Sequence, residues 1–510
     1  MTVPNNRLLI IGPPPTPNGD LHIGHIAGPY MSADVLRRWV LLQGGEAEFV
    51  TGTDDSQTFT VASARKLGIE PATLAAQSTA AIRRSLDQAL IRIDGFAPFD
   101  AGYEAAVRAF LDPLHAAGKL VKKTRFLPWD TQEACFVVEG LVAGECPHCL
   151  AESRGGLCES CGQPVACETL RNPHSVLSGN RDLEFHETEI LVLELEPLRG
   201  RIEAYYNPER LAALRPGARR IISQALAGPL PDFPVTYPLA WGIPACYDEV
   251  PGQVFNAWAE GMAASMYCTA AARDGAVQTG LQAWQDRHTD LVYFLGLDNV
   301  YFWGVTHLAM LLAHDGRFML PVNYYSNHFY ELDDEKISTS RGHVVLMGDL
   351  LQEFGASAVR FFLCWTAPEA TERSFSRDAF VRVTDRCLVA PWNRIFMAVQ
   401  PVEITPQDRV AAAADIALML AEMIGHMSLA SFSTAGAARM LAKHLGRLDR
   451  MAASLPPGDA GQLAAQFQAL AWLADPILKQ GDVTTTREEW MPRPLALWLD
   501  PETPGPRDAA

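Results

Sequence analysis

The stretch PPPTPNGDLHIGH, Pro13 to His25, constrains this chain more than any other part of it. Leu8–Ile11 just before it is an apolar, β-branched run ending at Gly12, which predicts a buried strand of a parallel sheet. The prolines and Asn18-Gly19 force an extended entry and a turn. A helix is then predicted through MSADVLRRWVLL, until Gly44-Gly45. Strand, glycine-containing turn and helix N-terminus together make an anion site. His22 and His25 are three apart on the first helical turn, so both rings point the same way. Gly24 between them carries no side chain, which lets a flat ring or a ribose approach the backbone. Two imidazoles placed so suit the stabilisation of charge on a phosphorus during displacement. An isolated HxxH would read as two surface histidines. The whole stretch is far more specific.

The chain has 510 residues, which at roughly 150 per domain implies two to four domains. Hydrophobic residues make up 48%, enough for large cores, which excludes a disordered or scaffold-like chain. No run of roughly 18 uncharged apolar residues occurs, so no membrane is expected as a partner. The opening MTVPNNRLLIIGPPP does not resemble a secretory signal, and the expected location is the cytoplasm. Lys and Arg number 42 against 59 Asp and Glu, a net charge of −17. VKKTR (Val121–Arg125) and RRII (Arg219–Ile222) are ordinary solvated charges at that density, so nucleic acid starts as a disfavoured partner. Among ten cysteines, Cys146, Cys149, Cys158 and Cys161 are spaced as two CxxC knuckles eight residues apart. That spacing suits one tetrahedral Zn²⁺, and four sulfur ligands leave no open position, so the metal is expected to be structural. Redox chemistry is the lesser reading for knuckles this close.

The Pro13–His25 stretch resembles the HIGH motif of class I aminoacyl-tRNA synthetases, and later segments agree in order. FVTGTDDSQT (Phe49–Thr58) is similar to the end of that family's second strand, where an acidic pair, here Asp54 and Asp55, sits near the amino-acid ammonium. WGIPA (Trp241–Ala245), FLGLDNVYFW (Phe294–Trp303) and EKISTSRGH (Glu335–His343) fall where the methionyl branch has its later landmarks. The last of them resembles the KMSKS loop, which folds over the triphosphate. The cysteine knuckles and NPHSVLSG (Asn172–Gly179) after them also resemble methionyl-tRNA synthetases. The resemblance covers residues 7 to 400 and, more faintly, reaches about 490.

The resemblance implies ATP and Mg²⁺, a structural Zn²⁺, and catalytic roles for His22, His25 and Lys336. It implies ATP contacts from Pro15, Asn18, Gly24, Gly296, Asp298, Ile337, Ser338, Ser340 and Arg341. Amino-acid contacts are implied for Pro14, Thr16, Asp54, Trp258, Gly261, Asn299, Trp303 and His307. The implied fold is α/β, a class I synthetase Rossmann-type parallel sheet with a zinc-bearing insertion and a C-terminal α-helical bundle. Expected domains are 1–115 and 236–325 for the two catalytic halves, and 116–235 for the insertion. Residues 326–385 hold the KMSKS-like loop and stem-contact region, 386–495 an anticodon-binding-like helical domain, and 496–510 a tail.

Departures cluster where the family holds its cargo. Pro14 and Thr16 stand where the methionyl enzymes have a pocket Leu and Tyr. NAWAEGMAAS (Asn256–Ser265) resembles the Trp-x-Asp-Ala-Pro segment, with Trp258 kept and Gly261, Met262 and Ser265 replacing Ala, Pro and a pocket Tyr. Asp298 matches the ribose-side aspartate, while Asn299, Trp303 and His307 replace Ile, His and Trp. A pocket with Thr16, Asn299 and His307 is more polar, and buried polar groups demand partners, so methionine is not the expected cargo. Tyr237 stands where an arginine usually precedes WGIP. Thr339 replaces the second KMSKS lysine, and losing one preorganised cation costs about 10²–10³ in rate. Arg341 or His343 could supply charge in its place. With His22, His25, Asp54, Asp298 and Lys336 retained, the site is expected to be active. DIALMLAEMIGHM and AARMLAKHLGRLDRMAASL have helical periodicity and resemble the anticodon domain. DRMAASLPPG (Asp449–Gly458), however, lacks the Asn and Trp that read unpaired bases.

The expected function is therefore an adenylate-forming ligase of specialised metabolism. It would activate a free amino acid with ATP and pass the aminoacyl group to a small-molecule amine, hydroxylamine or hydroxyl, beside a partner enzyme such as a cupin. A divergent methionine–tRNA ligase charging tRNA is the alternative. A non-catalytic amino-acid-binding regulator is the third reading, and the intact histidine pair argues against it.

Overall fold

The computed structural model describes residues 6–333, 335–336, 345, 347–400, 402–456, 458–480, 492–493 and 495. Seven strands and six helices position the site. The strands are β1 (Arg7–Ile11), β2 (Ala47–Thr51), β3 (Gly95–Phe96), β4 (Leu120–Asp130), β5 (Glu184–Leu193), β6 (Thr289–Gly296) and β7 (Asn323–Asn327). The helices are α1 (Met31–Leu42), α2 (Ala257–Ala272), α3 (Ala356–Trp365), α4 (Pro406–Met427), α5 (Thr434–Ala453) and α6 (Ala460–Leu478).

β7-β6-β1-β2-β3 form one sheet in which every pairing is parallel. Parallel strands lie between covered faces, which is why LLII reads as an unbroken apolar run rather than an alternating one. Successive side chains still point to opposite faces. Leu8 and Ile10 enter the core shared with α1 and the C-terminal helices, and Leu9 and Ile11 enter the core shared with α2. β4 and β5 pair antiparallel along ten residues each, from Leu120 opposite Leu193 to Trp129 opposite Glu184. Next to them a third, smaller core gathers Cys146, Cys158, Val137, Val138 and Val142.

α6 is buried over almost its whole length, so its sequence is apolar on all sides. α3 and α1 are tied to it by Arg360, which is fully buried. Its guanidinium donates to Asp34 Oδ2 at 2.6 Å and to the carbonyls of Ile477, Pro476 and Ala89 at 2.8, 3.0 and 3.1 Å. Arg38 adds a second donor to Asp34 at 2.7 Å. The α6 carbonyls are those a helix C-terminus leaves without internal donors, and a cation there also faces the negative end of the helix dipole.

α4 is long and apolar enough to cross a bilayer by length and composition, with mean hydropathy 1.5. It also carries Asp408, Arg409, Asp415 and Glu422, and it packs against α5 and α6.

Candidate active site

The strand order reverses on either side of β1, and the loops leaving β1, β2 and β6 meet at that switch point. Open parallel sheets bind their ligands in such a crevice, outside the carboxyl ends of the strands. The loop after β1 is held by its own backbone. Tyr30 donates its hydroxyl to Pro13 O at 2.6 Å, and Asp54 N donates to Pro15 O at 3.1 Å. Pro14, Pro15, Thr16, His22 and Gly24 are half-buried, whereas Asn18 is exposed with its N–H on Thr16 O.

The two histidines form a reciprocal cap on the helix that opens at Ile23. His22 Nδ1 accepts from Gly24 N at 3.1 Å, and His25 Nδ1 accepts from His22 N at 3.3 Å. The rings stack with centroids 3.8 Å apart. Burial pushes the His22 pKa down to about 4, and burial followed by the His22 charge pushes His25 lower still, although the surface of the His25 ring remains open to the cleft. Both rings are therefore neutral near pH 7. A neutral imidazole that accepts at Nδ1 carries its proton on Nε2. The cap thus fixes both tautomers and leaves two Nε2–H donors for an oxygen-rich ligand at a helix N-terminus.

Asp54, Asp55 and Glu260 come together beneath this loop, all of them buried. Burial raises the Asp54 pKa to about 8, against a hydrogen bond from Gln57 Nε2 at 2.6 Å and with a further push from Asp55. Asp55 is raised by burial and accepts from Thr53 Oγ1 at 2.6 Å. Glu260 is raised well above the carboxylate range by burial and then by Asp54, and it accepts from the Tyr103 hydroxyl at 3.3 Å. Trp241 Nε1 donates to Asp55 O at 3.0 Å, which fastens the WGIP segment to the same loop.

Trp258, Gly261, Trp303 and His307 also meet. Trp303 and His307 are edge to face at 4.5 Å, and His307 Nε2 donates to Trp258 O at 2.6 Å. A Cβ on Gly261 would lie 2.8 Å from His307 Cε1, so glycine makes room for the histidine. Burial pushes His307 down to about 4, so with its proton on Nε2 its Nδ1 is a bare acceptor, buried without a partner. Trp258 stacks on Phe302 at 4.1 Å. Gly296 ends β6 and Asp298 and Asn299 follow it, all half-buried, and a Cβ on Gly296 would meet Asp298 Oδ1. Tyr237, at the position of the missing arginine, turns to the insertion and donates to Glu139 Oε1 at 3.0 Å. Lys336 lies in a two-residue strand, Glu335–Lys336, antiparallel to Glu331–Leu332. Ile337, Ser338, Thr339, Ser340, Arg341 and His343 lie outside the described residues.

The cysteine quartet sits apart, in the insertion. All four sulfurs lie within 4.8 Å of one another, with Cys146–Cys161 at 3.9 Å and Cys149–Cys158 at 3.6 Å. A tetrahedron with Zn–S bonds of about 2.3 Å has edges of about 3.8 Å, so the residues fit the metal. Each knuckle is followed by a left-handed residue, Leu150 (φ 64°) and Gly162 (φ 72°). Only glycine takes that conformation without steric cost.

Sequence reasoning passed over Glu260, Ser56 and Tyr103. A signal was present for the first, the one charged residue in AWAEGMAASMYCTAAA. A lone carboxylate in an apolar helix is either paired or functional.

The family described as tRNA synthetases class I (M) matches residues 8–396. The methionine–tRNA ligase of Bacteroides fragilis is 29% identical over 383 residues, 74% of this chain and 56% of that protein. That of Thermomicrobium roseum is 28% identical over 387 residues, 75% of this chain and 65% of its own length. The chain thus spans little more than half the length of the first of these relatives. Among solved structures, Mycobacterium tuberculosis methionyl-tRNA synthetase bound by methionyl-adenylate superposes with TM-score 0.71 at 18% identity, covering 93% of this chain and 92% of that one. The two share a fold, which in this chain is an α/β architecture with a parallel Rossmann-like sheet, an insertion that carries the four cysteines, and C-terminal helices. With more than three quarters of its length matched, the chain belongs to the M group of class I tRNA synthetases.

Proposed function

We propose that this chain activates an amino acid with ATP to form an aminoacyl adenylate and pyrophosphate. A carboxylate oxygen of the amino acid attacks the α-phosphorus of ATP, carried in as its magnesium complex. The bond from that phosphorus to the bridging oxygen breaks, and pyrophosphate leaves with the electron pair. The observation that carries this reading is the reciprocal cap of His22 and His25, which presents two neutral Nε2–H donors where phosphoryl charge develops. Asp54 holds the ammonium, and Asp298 faces the ribose. Trp258, Trp303, His307 and Asn299 surround the side chain. ATP–pyrophosphate exchange across a panel of amino acids tests the reading. Exchange with no amino acid overturns it.

The names of the relatives support tRNA as the acceptor, ahead of the small-molecule nucleophile expected from the sequence. A second reading, transfer to a small amine, hydroxylamine or hydroxyl, rests on the outer face of α4. Val410, Ala411, Ala414, Leu418 and Ala421 are exposed there without a charge between them, a surface unsuited to a phosphate backbone. Aminoacylation of total tRNA, beside free amine and hydroxylamine acceptors and read by mass spectrometry, separates the two. Charging of a single tRNA species removes the second reading.

A further inference from the structure

We infer that the outer face of α4 is an interface, and that its occupant is a second copy of this chain, docked antiparallel about a two-fold axis. The inference is independent of the adenylation reading.

A helix apolar around most of its circumference is ordinarily buried. α6 meets that expectation over almost its whole length, whereas only 22% of the most apolar stretch of α4 is buried. On the inner side of α4, Met419, Met423 and Met427 enter the core shared with α5 and α6. Asp415 and Glu422 turn toward α5, where they meet Arg447 and Lys443. A second apolar line, Val410, Ala414, Ala417, Ala421 and Ile424, runs along the opposite side. Its first four members are exposed and Ile424 is half-buried. Val410 is 77% exposed, and Leu418 beside the line is 52% exposed. The steps along the line are four, three, four and three residues, the repeat of a helix that packs on another helix along a seam. The chain's own core, built on the inner side, makes no use of that repeat.

A second copy fits the seam. Alanines there let two helix axes approach to about 8 Å. In an antiparallel two-fold arrangement, Val410 of each copy lies against Ala421 of the other, while Ala414 and Ala417 meet beside the axis. Bulk then faces space at both ends. A parallel pair would crowd the two valines at one end and set alanine against alanine along the rest. One strip serves both copies, as an isologous contact requires, and each helix dipole opposes the other. From its exposed side chains the strip offers roughly 500 Å² per copy, so pairing removes about 1,000 Å² from water, the lower limit of a specific contact. That area suits a reversible dimer rather than an obligate one. A groove of about 200 Å³ between α4 and α6, lined by Ala413, Ala417, Ala465 and Ala469 among others, extends the same apolar surface.

Sedimentation velocity of the full chain from about 1 to 100 µM tests this. The mass should rise from the 55.8 kDa of one chain toward twice that value. Ala417→Glu sets two carboxylates close to each other beside the axis, so the dimer Kd should rise about tenfold or more. Its unfolding midpoint should hardly move, since the position is exposed and glutamate is a good helix former. Association should tighten as salt is added, because two chains of net charge −17 repel and the seam holds no ion pair. Val410→Cys mixed with Ala421→Cys should form a disulfide-linked pair more readily than either variant alone. A mass that stays at one chain across the range would overturn the inference, and is the result expected if another protein or the chain outside the described residues covers the strip. A dimer that Ala417→Glu leaves intact would also overturn it by placing the interface elsewhere. Should that variant fail to fold, the wild-type mass and the cysteine pair decide, and equal linkage of each cysteine variant with itself would defeat the antiparallel arrangement.

Discussion

Two buried clusters of charge in this molecule are solved in opposite ways. At the junction of α1, α3 and α6, Asp34 lies between Arg360 and Arg38, and every donor of Arg360 that is described has a named acceptor. Burial alone would raise the Asp34 pKa, yet the two arginines bring it below its ordinary value. In the cleft, Asp54, Asp55 and Glu260 have only neutral donors and are all raised. The first cluster is complete within the chain and belongs to the fold. The second has no cation from the chain among the described residues, and the four cysteines form a third cluster, whose spacing fits a metal ion. Charge that the chain balances for itself is structural, and charge it leaves unbalanced marks where something binds.

Breaking the paired cluster should have the largest effect. Arg360→Met leaves Asp34 buried with one partner fewer and strips the contacts to the carbonyls of Ile477, Pro476, Ala89 and Leu90, so urea unfolding should show a loss of about 3–5 kcal/mol. A loss under about 1 kcal/mol would mean that the junction is not held by this charge pairing. Next, His25→Ala removes one of the two fixed donors at the cap. Exchange should fall about 10²–10³-fold while the unfolding midpoint hardly moves, and equal activity would sink the role assigned to the pair.

The unpaired cluster predicts the opposite sign for stability. Asp54 holds its proton up to about pH 8 in the folded chain, against an ordinary value of 3.8. Between those values the unfolded chain has released a proton that the folded one retains, so this group makes stability fall as pH rises toward 8. Asp54→Asn should therefore stabilise the ligand-free protein at pH 8, by roughly 1–3 kcal/mol, while weakening amino-acid binding. A destabilised variant would show that Asp54 is balanced by the chain after all. The same proton must leave before an ammonium is paired, so the KM for the amino acid should fall as pH rises from about 6 to 8.

Smallest of all for the chemistry is the metal. One Zn²⁺ per chain is expected by metal analysis, and Cys149→Ser should loosen the insertion to proteolysis while exchange changes about twofold or less. A large loss of exchange would place the insertion inside the catalytic unit.

Much of this was written in local pattern. The run Leu8–Ile11, the turn residues to Gly19 and the three-residue spacing of His22 and His25 are short-range features, and the strand, the cap and the ring stack follow from neighbours in the chain. The knuckle spacing of Cys146, Cys149, Cys158 and Cys161 likewise brings the four sulfurs together. Glu260 could be noticed in an apolar helix, but its meaning could not, because Asp54 and Asp55 lie some two hundred residues away in sequence.

What the sequence determined by itself, then, was the strand Leu8–Ile11, the turn and histidine cap after it, and the closeness of the four cysteines, since each depends on residues near one another in the chain. Only the tertiary structure decided which charges are paired. Arg360 reaches Asp34 across 326 positions, and Tyr103 reaches Glu260 across 157. No periodicity records such distances, because electrostatic balance depends on where side chains lie and how far water is excluded from them.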